Sequence, residues 1–234
     1  MALATVIRAN AHLVSGLVYR LVCKFELTEI LMAQRGRPRT FDRDAAVNSA
    51  MHLFWEQGFE STSLSQLKAS MGEGISAPSF YAAFESKEAL YKEALDRYMV
   101  LYRDLTRSLH DTSIAPREGV FLALQRSAKM QTESGHPKGC MVALGVMGSN
   151  STTSDAVTQL LRDIRSRTRA GFRSCVERGI KSGELRKTTE PAALSIALDC
   201  FFQGLSVLAR DHVRPVVIEK AVRDAMGMWD AAAA

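Results

Sequence analysis

The chain has 234 residues, of which 47% are hydrophobic and 24% charged, an ordinary balance for a globular protein of one large or two modest domains. Four scattered cysteines (Cys23, Cys140, Cys175 and Cys200) with no C-x-x-C pair argue against a disulfide framework and for reduced thiols in the cytoplasm. The net charge of +5 is only mildly basic, but Arg35, Arg37, Arg39 and Arg43 fall within nine positions, which average composition does not explain.

No run reaches the ~18 unbroken apolar residues of a membrane helix. Leu13 to Phe25 comes nearest and is broken by Arg20 and Lys24; it lacks a clean signal-peptide cleavage site. Met32 opens a basic arm, Arg35-Gly36-Arg37-Pro38-Arg39, so residues 1–31 read as an upstream extension from a misassigned start codon or as an accessory helix.

The first helix is predicted from about Asp42, which can cap it, to Gln57, with Val47, Ala50, Met51 and Phe54 on one face and Gly58 as its left-handed stop. Ser63-Leu64-Ser65-Gln66 has the capping-box spacing and starts a second helix that buries Leu64 and Leu67. After a turn at Met71-Gly72-Glu73-Gly74, Ser76 caps a third helix with Pro78 in its first turn. Phe80 and Phe84, four apart, pack inward and turn Ser79 and Tyr81 outward. Three short helices behind a basic arm form a unit able to place one helix in a DNA major groove.

Ser86 caps a fourth helix expected to run to about Leu109, about 35 Å long and a candidate lever between two domains. A fifth follows Pro116, with Val120, Leu124 and Ala128 on one face, until Gly135-His136-Pro137-Lys138-Gly139 breaks it. Cys140 to Met147 is a short apolar segment and Ser149 to Ser154 a loop. A long helix from Asp155 to Lys181 carries Arg162, Arg165, Arg167, Arg169 and Arg173, read as a solvated face, and ends before Gly183. Two last helices start near Pro191 and Pro215. Leu194, Leu198, Phe201, Leu205 and Leu208 stripe one, and Ile218, Val222, Met226 and Trp229 the other.

The text Thr62-Ser63-x-x-x-Leu67, Ile75 to Phe84 and Ser86-Lys87-Glu88-Ala89-Leu90 resembles the TetR/AcrR family of one-component bacterial transcription regulators. His136-Pro137-x-Gly139-Cys140 and Phe202-Gln203-Gly204-Leu205 look like one branch of it. The resemblance implies an all-α homodimer: a helix-turn-helix head over residues 32–90 and an effector-binding, dimerising body over 91–234. Met71 to Ile75 makes the turn before the recognition helix longer than the family's usual one.

Carried over by position, the resemblance makes Tyr81 and Lys87 phosphate ligands, and both have the chemistry for it: an outward phenol, and an ammonium at a helix N-terminus. Thr62 and Ser63 would meet the DNA backbone similarly. Ser76, Ala77, Pro78 and Ser79 face base edges, and none of these types makes a bidentate base contact. Specificity is therefore expected to lean on Arg35, Arg37 and Arg39 in a narrowed minor groove and on DNA deformability. The stripe of Leu194, Leu198, Phe201, Leu205, Leu208, Val222, Met226 and Trp229 is the expected dimer contact. Tyr102, Phe121, Met141, Met147 and Phe172 are the expected lining of an effector pocket.

The expected function is a homodimeric repressor released from a pseudo-palindromic operator in double-stranded DNA by a small-molecule effector, with no cofactor and no membrane. Alternatives are a TetR-like activator, a non-sensing architectural protein, or a metal- or redox-sensing repressor using Cys140. No G-x-S-x-G elbow, H-E-x-x-H or P-loop supports an enzyme.

Overall fold

A computed structural model describes residues 41–72, 74–147 and 155–234. Residues 1–31 and the arm arginines Arg35, Arg37 and Arg39 lie outside the described residues. Every element below belongs to one compact unit that begins at Arg43. Among the described residues all regular elements are helical, apart from one isolated antiparallel bridge between Leu185 and Ala233.

Helix α1 (Arg43–Gln57) buries the expected Val47, Ala50, Met51 and Phe54, together with Trp55, and Gly58 stops it at φ +81°. α2 (Leu64–Ser70) starts from the expected box: Gln66 N–H donates to Ser63 Oγ at 3.2 Å, and Ser63 N–H donates to Gln66 Oε1 at 2.7 Å. α3 (Ala77–Phe84) is capped by Ser76 and buries Phe80 and Phe84. A tight turn at Glu85 (φ +63°), closed by Ser86 N–H to the Phe84 carbonyl at 2.6 Å, swings the chain into α4 (Lys87–Leu101), which Ser86 caps.

The fourth helix is shorter than expected. It ends at Leu101, and Arg103–Leu105 and Arg107–Leu109 form two 3₁₀ turns. Thr106 and Ser108 are poor helix-interior residues because their hydroxyls compete for backbone groups. Ser108 Oγ indeed donates to the Gly119 carbonyl at 2.8 Å, and Arg126 donates to the Asp104 carbonyl at 3.2 Å. The lever is therefore a helix of 15 residues followed by a bent strut.

The rest comprises α5 (Pro116–Thr132), α6 (Met141–Met147), α7 (Asp155–Ser182), α8 (Pro191–Arg210), α9 (Pro215–Ala225) and the single turn α10 (Gly227–Asp230). Two apolar cores fill it. One joins α1–α4 to Met141, Val142, Val157, Leu161 and Ile164, so the head shares its core with the start of α6 and α7. The other packs Leu109, α5, the end of α7, α8, α9 and Trp229. Burial of a large apolar side chain contributes about 1.5–3 kcal/mol, which makes Trp55, Tyr91, Phe172 and Trp229 major contributors to stability. α8 is long and apolar enough by composition to cross a membrane, yet its Leu198, Phe202 and Leu205 are buried in this second core.

Candidate nucleic-acid interface and body cavity

Ser76, Pro78, Ser79 and Tyr81 are exposed on α3, with Ala77 half-buried behind them. The Ser76 hydroxyl accepts from Ser79 N–H at 3.2 Å and lies 2.8 Å from Ser79 Oγ, so both hydroxyls are pre-positioned by the cap. Tyr81 is 51% exposed and lies edge-on to Phe80, which fixes its direction while leaving the phenol open. Lys87 opens α4, with its ammonium 4.3 Å above the Phe59 ring. Burial lowers its pKa, and the Glu60 carboxylate works in the opposite direction. A cation at a helix N-terminus stands where the backbone N–H groups also favour an anion.

Thr62 does not reach this face. Its side chain is fully buried, and its hydroxyl donates to the Gly58 carbonyl at 2.6 Å, tying the end of α1 to α2. Ser63 is exposed but spends its hydroxyl on the cap of α2. Arg43, at the end of the basic run, is bound to Glu93 and stacks 5.1 Å from the Phe84 ring, so it braces the head.

Behind the head, a narrow cavity opens between the end of α4, the 3₁₀ strut, α5, the start of α6, α7 and α8. It offers about 50 Å³ to the centres of water-sized molecules. Tyr98, Tyr102, Leu105, Ile164 and Phe202 supply its apolar walls, with Cys140, Arg165 and Gln203 among its polar ones. The Tyr98 hydroxyl donates to Cys140 Sγ at 3.3 Å. Burial pushes the Tyr98 and Tyr102 phenols upward, so both remain neutral donors near neutral pH.

Of the expected pocket residues, only Tyr102 lines this cavity. Phe172 is buried in the second core against Phe202, at 5.6 Å between ring centroids. Met141 is buried in the first core and Phe121 packs on the edge of the second. The side chain of Met147 lies outside the description. His136 stacks on Trp55 at 4.6 Å, and no three His, Cys, Asp or Glu converge among the described residues, so nothing there completes a metal site at Cys140.

The expected dimer stripe is also corrected. Leu198, Leu205, Val222, Met226 and Trp229 are each at most 2% exposed within the single chain, and Leu194 and Phe201 pack partly against them. The five fully buried side chains fill the chain's own core and have no surface left for a partner. Leu208, by contrast, is exposed, as are Ile196 and Val207 of the same helix.

Two family models match the chain: "Bacterial regulatory proteins, tetR family" over residues 46–94 and "Tetracyclin repressor-like, C-terminal domain" over residues 121–225. The transcriptional repressor ComR of Escherichia coli (strain K12) is 31% identical over 210 residues, 86% of this chain and 95% of ComR. The chain belongs to the TetR family. The transcriptional repressor DhaR of Mycobacterium sp. (strain GP1) is 28% identical over 168 residues, 71% of this chain and 81% of its own. A cysteine variant of the TetR-family regulator CifR, solved with 26-base-pair operator DNA, is 36% identical, with a TM-score of 0.74 over 83% of this chain and all of its own.

As a TetR-family protein the chain is an all-α DNA-binding transcriptional regulator, with α1–α3 as its helix-turn-helix head. Two important residues escaped the sequence reading. Trp55 is four residues after Met51, so it extends the buried stripe of α1, and that spacing was the available signal. Arg165 was grouped with the other arginines of α7, although it stands in register with buried Leu161 and Phe172, four before and seven after it. Its place on that stripe was the available signal.

Proposed function

We propose that this regulator is a homodimeric repressor that a small molecule, entering the cavity behind the head, releases from a pseudo-palindromic operator. One observation carries this reading: Tyr98 and Tyr102, which wall the cavity, lie 4.9 and 5.5 Å edge-on from Trp55 of α1 in the head. The cavity's contents and the head's seating therefore press on the same indole. A ligand that fits only one arrangement of those rings shifts the spacing of the two heads and weakens DNA binding by its differential affinity, typically about 1–3 kcal/mol.

Tyr81 and Lys87 would grip phosphates on either side of α3, with Ser76, Ala77, Pro78 and Ser79 against base edges. Arg35, Arg37 and Arg39 would enter the adjacent minor groove, and two heads would sit about 34–36 Å apart on successive major grooves. The dimer contact falls on the outer face of α8, where Ile196, Cys200, Val207 and Leu208 are exposed beside the outer side of α7.

The test is to capture genomic fragments with the purified protein, identify the bound sequence, and screen small molecules for release. An operator with two half-sites about ten base pairs apart and at least one releasing compound are expected. Tight binding that no compound relieves would favour a non-sensing regulator.

A further inference from the structure

The cavity has one permanently charged group in its lining, the guanidinium of Arg165. It is half-buried and stands between two like charges on α7, Arg162 and Arg169. Each neighbour has its own partner. Arg169 Nε donates to Asp199 Oδ2 at 2.9 Å, and Arg162 donates to Gln159 Oε1 at 2.7 Å. The second oxygen of Asp199 is taken by Gln203 Nε2 at 3.1 Å. Arg165 is left with one long donation to the Val142 carbonyl at 3.4 Å, and no carboxylate lies within ion-pair distance of it among the described residues. Burial and the two adjacent arginines lower its pKa, against smaller opposing contributions from Asp199 and Cys140. A partly buried cation with no ion pair of its own is costly to a fold, and an anion that can reach it relieves the site.

From this arrangement we infer that the cavity's ligand is a small monocarboxylate with a short apolar tail, its carboxylate held by the Arg165 fork and its tail against Tyr98, Tyr102, Leu105, Ile164 and Phe202. The guanidinium presents two parallel N–H donors, which match a planar carboxylate. The free space is about 50 Å³, against roughly 150 Å³ for an apolar cavity that binds benzene, so the unmoved walls admit only a few carbons. A phosphate brings more oxygens than one guanidinium satisfies and gains little from the apolar walls. The inference rests on the reading of this cavity as the effector site and adds the chemical class of its occupant.

The probes are sodium butyrate, 1-butanol and n-butylamine, with inorganic phosphate as a fourth, added to the full chain at ionic strength matched with chloride. Isothermal titration and thermal unfolding read binding, and an operator-release assay on a captured fragment runs in parallel. Butyrate should bind saturably and raise the melting temperature while the alcohol and the amine do neither. Arg165→Met should weaken butyrate at least tenfold without lowering the melting temperature of the unliganded protein, because it removes an unpaired charge. Arg165→Lys should fall between the two. Equal binding of butanol, tighter binding of phosphate, or undiminished butyrate binding by Arg165→Met overturns the inference. Release by an uncharged compound to which Arg165→Met remains fully sensitive also overturns it, while leaving the repressor reading intact. Butyrate binding that depends on Arg165 but never releases DNA upholds the carboxylate site and removes its regulatory role.

Discussion

Replacing Trp55 by phenylalanine should cost stability and, separately, uncouple the head from the cavity. The indole is 1% exposed, stacks on His136 at 4.6 Å, and donates from Nε1 to the Gly139 carbonyl at 3.0 Å. That carbonyl belongs to a residue with little freedom to adjust: Gly139 has φ +82°, and a Cβ there would fall 2.6 Å from Leu144 Cδ1 and 3.0 Å from the Ser206 carbonyl. Phenylalanine removes the donor, leaving a buried acceptor unsatisfied at about 1–3 kcal/mol, and adds a void where the second ring stood. Full truncation to alanine costs about 3–5 kcal/mol for such a residue, so about 2–3 kcal/mol is reasonable for the milder change. For a chain of this size that lowers the melting temperature by about 4–12 °C. Thermal unfolding followed by circular dichroism, at fixed protomer concentration because dimerisation shifts the midpoint, measures this part. Operator titration with and without effector measures the other: the apo affinity should stay within a few-fold, while the effector's weakening of it shrinks. A variant that melts within about 1 °C of the parent, or releases its operator as fully, refutes the reasoning.

Other expectations follow from the same contacts. Tyr81→Phe should leave the melting temperature unchanged, since the phenol is exposed, and weaken operator binding about fivefold for a lost phosphate hydrogen bond of about 1 kcal/mol. Gel-shift titration checks it. Ser206→Ala should cost about 1–3 kcal/mol in denaturant unfolding, because buried Ser206 donates to Gln131 Oε1 at 2.7 Å and joins α8 to α5. Burial, followed by the nearby His136, holds the His52 imidazole below its ordinary value of 6.5. Its contribution to stability is therefore full above about pH 6.5 and is lost as the pH falls toward and through the folded-state value. His52→Gln should flatten the decline of melting temperature between about pH 7 and pH 5. Glutamate at Ile196 and Val207 together should yield monomers by analytical ultracentrifugation, without unfolding the chain, if the outer face of α8 carries the dimer.

Much of the head was legible because its signals are local. The glycine stop at Gly58, the reciprocal box of Ser63 and Gln66, and the caps at Ser76 and Ser86 each depend on residues within a turn of one another, and each stands where expected. Thr62 misled because a hydroxyl beside a helix start reads the same whether it faces phosphate or the Gly58 carbonyl; only burial separates the two. The fourth helix was overextended because its apolar spacing continues to Leu109, while the groups that fix the 3₁₀ turns, the Gly119 carbonyl that accepts from the Ser108 hydroxyl and the Arg126 guanidinium that donates to the Asp104 carbonyl, come from α5.

The body was harder to read, because periodicity cannot say what covers an apolar stripe. α8 is apolar on two sides: Leu198, Phe202 and Leu205 face inward, while Ile196, Val207 and Leu208 face outward. A stripe at helical spacing fits either side equally well, and the stripe expected to meet a partner joins exposed Leu208 to residues that the structure buries. What distinguishes them is the competition for core space: α5, α9 and Trp229 already occupy the inner face, so a second subunit can reach only the outer one. The same logic explains Arg165. Five arginines on one helix look like a solvated face until the neighbouring helices are in place. Then four of them remain exposed, and the one in register with Leu161 and Phe172 stands half-buried at the wall of the cavity. No described carboxylate forms an ion pair with it, and Asp199, already bound by Arg169, offsets only part of its cost, which is the imbalance from which the carboxylate preference of the cavity is inferred.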